Sequence, residues 1–126
     1  DLRLLQYIHT HKTGAMILAS IRVGAKLGGA GGEILRAFTR YGERVGLAFQ
    51  IMDDILNVEG KAVALGKSTG TDLSRGKATY PSLLGLEESK RRATELVELA
   101  VESLNPYGLE ADPLREIARF IIAREN

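Results

Sequence analysis

Apolar residues recur at three- and four-residue intervals along most of the chain, and no stretch alternates with the period of two that a strand requires. The first run predicts a helix from about Leu2 to Leu27, with Leu5, Ile8, Ala15, Met16, Ala19, Val23 and Leu27 as its apolar stripe. The cluster Gly28-Gly29-Ala30-Gly31-Gly32 ends it. A second helix is predicted from near Glu33 to about Val58, and the segment from Gly60 to Tyr80, rich in Gly, Thr, Ser and Lys, reads as an ordered loop. Pro81 suits the first turn of a short helix through Leu84. A helix from Glu87 to Leu104 follows, with Glu87/Arg91 and Glu88/Arg92 at i,i+4 spacing on a solvated face. Asn105-Pro106-Tyr107-Gly108 breaks it, and Pro113 opens a terminal helix whose buried stripe is predicted to be Leu114, Ile117, Phe120 and Ile121. The pattern is that of an all-α protein.

The second helix is apolar on most sides, through Val45, Leu47, Ala48, Phe49, Ile51, Met52, Ile55, Leu56 and Val58. Such a helix is expected to be central and surrounded. The other helices of this chain are too few to enclose it, so further helices are expected on its N-terminal side. The start at Asp1, with apolar periodicity beginning at once, carries the same expectation of a fragment of a longer chain.

Polar positions on that helix are not scattered. Gln50, Asp53, Asp54 and Asn57 fall at i, i+3, i+4 and i+7 and so share one stripe. Two adjacent carboxylates repel each other and are costly to bury unpaired. Carboxylates without histidine or thiolate suit hard cations, above all Mg²⁺, which binds through one or two carboxylates together with phosphate oxygens and water. The plainer alternative is a surface turn whose acids are merely solvated.

The first helix holds a matching anomaly. Lys12 sits four residues from both Ile8 and Met16 and interrupts the apolar stripe. Its stem can pack while its head reaches water, or its charge can serve a site. His9 and His11 flank it without a third ligand at metal spacing and read as structural or solvent-facing. The loop GKSTGTDLSRGKATYP carries Lys67, Arg75 and Lys77 among glycines, a composition that suits phosphate oxygens. It is not a P-loop. Five residues separate Gly60 from Gly66, where that motif needs four, and a helix precedes it in place of a strand. An ordinary surface connection is the alternative, although the length of the loop favours a binding loop or lid.

Composition narrows the classes without adding a site. The 126 residues fit one domain, the 44% apolar content is that of a globular chain, and the net charge of +1 gives no reason to expect nucleic acid as a partner. The absence of cysteine excludes disulfides, thiolate metal sites and cysteine nucleophiles. No apolar run is long enough to span a bilayer, and no signal-peptide pattern opens the chain, so a cytoplasmic location is expected.

Four segments taken together resemble a known family: HTHKTGA from His9 to Ala15, GLAFQIMDDILNVEG from Gly46 to Gly60, LGKSTGTDLSRGKATYP from Leu65 to Pro81, and the closing FIIAREN from Phe120 to Asn126. In this order they resemble the C-terminal half of trans-isoprenyl diphosphate synthases of the bacterial farnesyl/geranyl diphosphate synthase type. The resemblance implies that residues 1–126 form the C-terminal portion of a helical bundle of the isoprenoid synthase type, usually a homodimer. It implies Mg²⁺-assisted ionisation of an allylic diphosphate and condensation with isopentenyl diphosphate. By the same resemblance Lys12 binds the allylic diphosphate, Thr13 and Gln50 offer oxygen dipoles to the developing cation, and Asp53 and Asp54 hold Mg²⁺. Lys67 and Lys77 would hold diphosphate oxygens, and Asp72 would orient a lysine or metal-bound water.

Asn57 stands where the family usually has a third aspartate, so it is expected to be a weaker ligand. The family's first aspartate-rich motif and its basic residues for isopentenyl diphosphate are not in these residues, so the 126 residues alone are expected to be inactive. Exposed apolar faces are expected to make them self-associate or pair with the N-terminal half. The competing reading is a non-catalytic subunit or scaffold of the same fold. Retention of Lys12, Gln50, Asp53, Asp54, Lys67 and Lys77 argues against it.

Overall fold

The computed structural model describes residues 2–65 and 79–124 and contains five α-helices among them, with no strand. Helix α1 spans Leu2–Leu27, α2 Gly32–Leu65, α3 Tyr80–Leu84, α4 Leu86–Glu102 and α5 Asp112–Ala123, with a short 3₁₀ turn at Leu109–Ala111 before α5. No described helix is long and apolar enough to cross a membrane.

The end of α1 follows from its glycines. Gly29 takes φ +87°, a left-handed conformation that glycine adopts without a Cβ clash. The Gly29 N–H then donates to Lys26 O at 3.0 Å and the Ala30 N–H to Ala25 O at 2.9 Å, satisfying carbonyls that the last turn leaves open. The chain reverses there, and α2 returns antiparallel along α1. The two backbones come together at Gly14 and Gly46. A Cβ built on Gly46 would lie 3.1 Å from the Gly14 carbonyl oxygen and 3.3 Å from its Cα. Farther along, a Cβ on Gly42 would meet Leu18 Cδ1 at 3.0 Å.

Helix α2 is central, as its composition predicts. Tyr41, Val45, Ala48, Ile51, Met52 and Ile55 are buried against Ala93, Val97, Ala100 and Leu104, which lie in and just after α4, and against Ala118 and Ile121 of α5. The many alanines let the axes approach closely. Helix α4 runs antiparallel to α2. Near its start Lys90 pairs with Glu59 at 2.8 Å, and at its end Arg44 donates to Leu99 O at 2.9 Å and to Ser103 Oγ at 2.6 Å. Helix α5 runs in the same direction as α2, tied at one end by Tyr41 and at the other by Asp53. The turn between α4 and α5 is gathered by Arg115, which donates to the carbonyls of Leu104, Tyr107 and Gly108 and pairs with Asp112.

Tyr41 is fully buried, and its hydroxyl donates to Leu114 O at 2.6 Å. Burial pushes that phenol up to about 12, so it remains a donor throughout the physiological range. Tyr41→Phe removes the donor that ties α2 to the Leu114 carbonyl of α5. The expected loss is about 1–2 kcal/mol, read from denaturant unfolding.

Three expectations are corrected. Helix α2 does not stop near Val58 but continues to Leu65, because Lys61, Ala62, Ala64 and Leu65 are strong helix formers that outweigh the single Gly60, whose cost is about 1 kcal/mol. The predicted stripe of α1 is not its packed side. Ala15, Met16, Ala19, Val23 and Leu27 are exposed, whereas Gly14, Ile17, Leu18 and Ile21 face α2. On α5, Ile117 and Phe120 are 52% and 65% exposed, and the buried positions are Ala118 and Ile121. Both helices carry apolar residues on more than one side, and only one side finds a partner among the described residues.

On the outer face of α4, Glu88 and Arg92 form the expected i,i+4 pair at 3.4 Å, but Arg91 pairs with Glu88 and Glu95 in place of the expected Glu87. His11 stacks on Tyr7, with Nδ1 2.9 Å from Tyr7 O, consistent with a structural role.

Candidate diphosphate and metal site

Gln50, Asp53, Asp54 and Asn57 do share a side of α2, with the first three half-buried and Asn57 exposed. The two carboxylates have different partners. Asp54 Oδ2 accepts the Tyr80 N–H at 3.2 Å. That N–H is available because Tyr80 opens α3, where the first N–H groups have no acceptor within the helix. Thr79 and Ser82 hold the start of α3 through a reciprocal capping box, with Ser82 N–H to Thr79 Oγ1 at 3.2 Å and Thr79 N–H to Ser82 Oγ at 2.9 Å. The donor facing Asp54 is therefore fixed by the local sequence TYPS.

Asp53 Oδ1 instead accepts from Arg124 Nη2 at 2.6 Å. Arg124 follows the last turn of α5 in an extended conformation, with its N–H on Phe120 O. Its guanidinium carbon lies 4.2 Å over the Phe49 ring, a cation–π arrangement, and Nη2 is 3.4 Å from the Phe49 carbonyl.

Electrostatics separate the two acids further. Burial raises the Asp54 carboxyl above its ordinary range, the Tyr80 N–H opposes that rise, and the neighbouring Asp53 adds to it. No cation offsets Asp54 among the described residues, whereas Asp53 has a guanidinium. Among the described residues the set therefore carries excess negative charge, which suits a hard divalent ion. Two carboxylates, with Asn57 as a carbonyl donor nearby, match the small protein share that Mg²⁺ uses. No group of three or more His, Cys, Asp or Glu that could hold a metal exists among the described residues. A cation here would complete its shell with water or ligand oxygens.

The Gly14–Gly46 crossing determines where α1 contributes. In that antiparallel register Lys12 and Thr13 lie within one helical turn of the level of Gln50. Thr13 is half-buried and Lys12 exposed. Lys12 therefore does not interrupt a packed stripe, since the stripe it belongs to faces outward. Lys67, Asp72 and Lys77 lie outside the described residues.

Arg124 is the site residue that helical spacing missed. Its one signal in the sequence is its place in the closing FIIAREN. Nothing in the periodicity of either helix links it to Asp53.

The family described as polyprenyl synthetase matches residues 2–106. A dimethylallyltranstransferase of Fischerella ambigua (strain UTEX 1903) is 48% identical over 126 residues, covering 100% of this chain and 36% of that protein. Farnesyl diphosphate synthase of Escherichia coli (strain K12) is 44% identical over 126 residues, covering 97% of this chain and 42% of that protein. Among solved structures, an FPP/GFPP synthase from Zymomonas mobilis in its apo form superposes with a TM-score of 0.74 at 37% identity, covering 96% of this chain and 38% of that one. The chain thus spans well under half the length of these relatives.

Proposed function

The chain belongs to the polyprenyl synthetase family, and from that premise we propose that it is the C-terminal part of a trans-prenyltransferase that condenses an allylic diphosphate with isopentenyl diphosphate. The observation that carries this reading is the acid pair. Asp53 and Asp54 sit side by side on the central helix, and burial raises Asp54 with no cation to offset it among the described residues. Asp53 and Asp54 would hold Mg²⁺, with Asn57 as a weaker donor. Bound there, the ion would supply positive charge to offset the negative charge on the diphosphate oxygens as the carbon–oxygen bond breaks.

The remaining roles belong to the chain's own groups. Lys12 binds the allylic diphosphate, and its exposure suits a ligand approaching from outside these helices. Thr13 and Gln50 turn oxygen dipoles toward the developing allylic cation. Lys67 and Lys77 hold the departing diphosphate, and Asp72 orients a lysine or a metal-bound water. Isopentenyl diphosphate is held by residues outside this chain, so these 126 residues by themselves do not complete the reaction. The exposed apolar sides of α1 and α5 support pairing with the rest of the protein, a homodimer partner or both, in the cytoplasm.

The test is an assay of the whole protein with dimethylallyl or geranyl diphosphate, isopentenyl diphosphate and Mg²⁺, following prenyl product. Lys12→Ala is expected to lower kcat/KM for the allylic substrate by about 10–100-fold, with less effect on isopentenyl diphosphate. Failure of the wild-type protein to consume isopentenyl diphosphate would overturn the proposal.

A further inference from the structure

The contacts of Arg124 are unusual for a residue at the end of a terminal helix. Its side chain is only 12% exposed, yet its Nε is buried without an acceptor among the described residues. One guanidinium nitrogen makes the 2.6 Å bond to Asp53, and the plane is braced on Phe49. A buried donor without a partner is costly, so this arginine is not fully satisfied where it rests. The Asp53 carboxylate is 41% exposed and therefore open on its other side.

Charge counting gives the arrangement a purpose. Among the described residues, two carboxylates and one guanidinium leave one net negative charge. A divalent cation added with the guanidinium in place overshoots to a net positive set. The same cation in exchange for the guanidinium leaves the set neutral. At bonding distance the two cations would also repel each other strongly. We propose that Arg124 is a positioning residue of the acid pair, the counter-ion that Asp53 exchanges for a divalent cation. This inference rests on the metal role proposed above for Asp53 and Asp54. It adds that the end of α5 responds to occupancy of that site, because the arginine that fastens α5 to α2 is the group displaced.

The test is binding of Mn²⁺ to the whole protein without substrate, counting free ion by EPR. Arg124→Gln is expected to bind about tenfold tighter than wild type, and Arg124→Lys, which keeps the competing charge, to stay near wild type. The gain is expected to vanish in Asp53→Asn/Arg124→Gln. Equal or weaker binding by R124Q would overturn the inference while leaving the metal role standing. R124K binding as tightly as R124Q, or a gain that survives loss of Asp53, would overturn it as well. No binding by either wild type or R124Q would remove the metal role itself and the inference with it. A second readout needs no substitution: Mg²⁺ titrated into the ¹⁵N-labelled wild-type protein is expected to shift the Arg124 Nε–H resonance. A resonance unmoved at saturating Mg²⁺ would overturn the exchange.

Discussion

Asp54→Asn is expected to reduce prenyl transfer by about 10²–10³-fold, the scale on which one electrostatic contact to a developing charge operates, and to make the metal-free protein more stable. The two effects have one cause. Burial raises the Asp54 carboxyl above its ordinary value, and Asp53 beside it raises it further. Between that value and the raised native one, the folded state binds more protons than the unfolded state. Stability therefore falls as pH rises through this window and stays reduced above it. Asparagine carries no charge to desolvate, yet its amide oxygen can still accept the Tyr80 N–H. The variant is thus expected to melt above wild type at neutral pH in chelator, with the gap closing under acid. Mg²⁺ is expected to raise the wild-type melting temperature by binding the native state and to do little for the variant. Thermal melts at several pH values, with and without Mg²⁺, check the stability arm, and product formation checks the other. A variant that keeps wild-type turnover would remove Asp54 from the metal role. One that melts below wild type at neutral pH would show that the ionised carboxylate stabilises the fold.

The second large effect is expected at Gly46→Leu. A Cβ at this position meets the Gly14 carbonyl oxygen at 3.1 Å and its Cα at 3.3 Å, and both are backbone atoms of the facing helix. No side chain can rotate aside, so the whole of α1 must move. The expected cost is about 3 kcal/mol, at the upper end of ordinary overpacking. The displacement also carries Lys12 and Thr13 away from Gln50, because the register of the two helices is set at this crossing. Activity is therefore expected to fall by more than the loss of folded protein explains. Denaturant unfolding compared with kcat measured on the folded fraction separates the two contributions. Gly24→Ala is the control, since a Cβ there meets nothing within 4 Å. Its side-chain space is open and alanine is the better helix former, so stability is expected to hold or rise slightly.

Helix positions and the polar stripe of α2 were legible in the sequence because they depend on local rules. Gly29 ends α1 through its positive φ, and the TYPS start of α3 builds its own cap from neighbouring residues. Gln50, Asp53, Asp54 and Asn57 share a side because 3.6 residues make a turn, whatever surrounds the helix. Where local signals competed, the pattern misled. Gly60 looked like the end of α2, but the helix formers after it carried the helix to Leu65.

The sequence by itself therefore determined the all-α architecture, the turns and the family, and it marked Asp53 and Asp54 as adjacent acids on the polar side of an apolar helix. Tertiary structure decided which side of each helix is packed, since α1 and α5 are apolar on more than one side and only contact selects between them. It also decided how the two acids differ. Asp54 takes a backbone N–H from a residue 26 positions away, and Asp53 takes a guanidinium from one 71 positions away. Helical periodicity relates residues within a few turns, whereas these contacts depend on where α3 and α5 come to rest against α2.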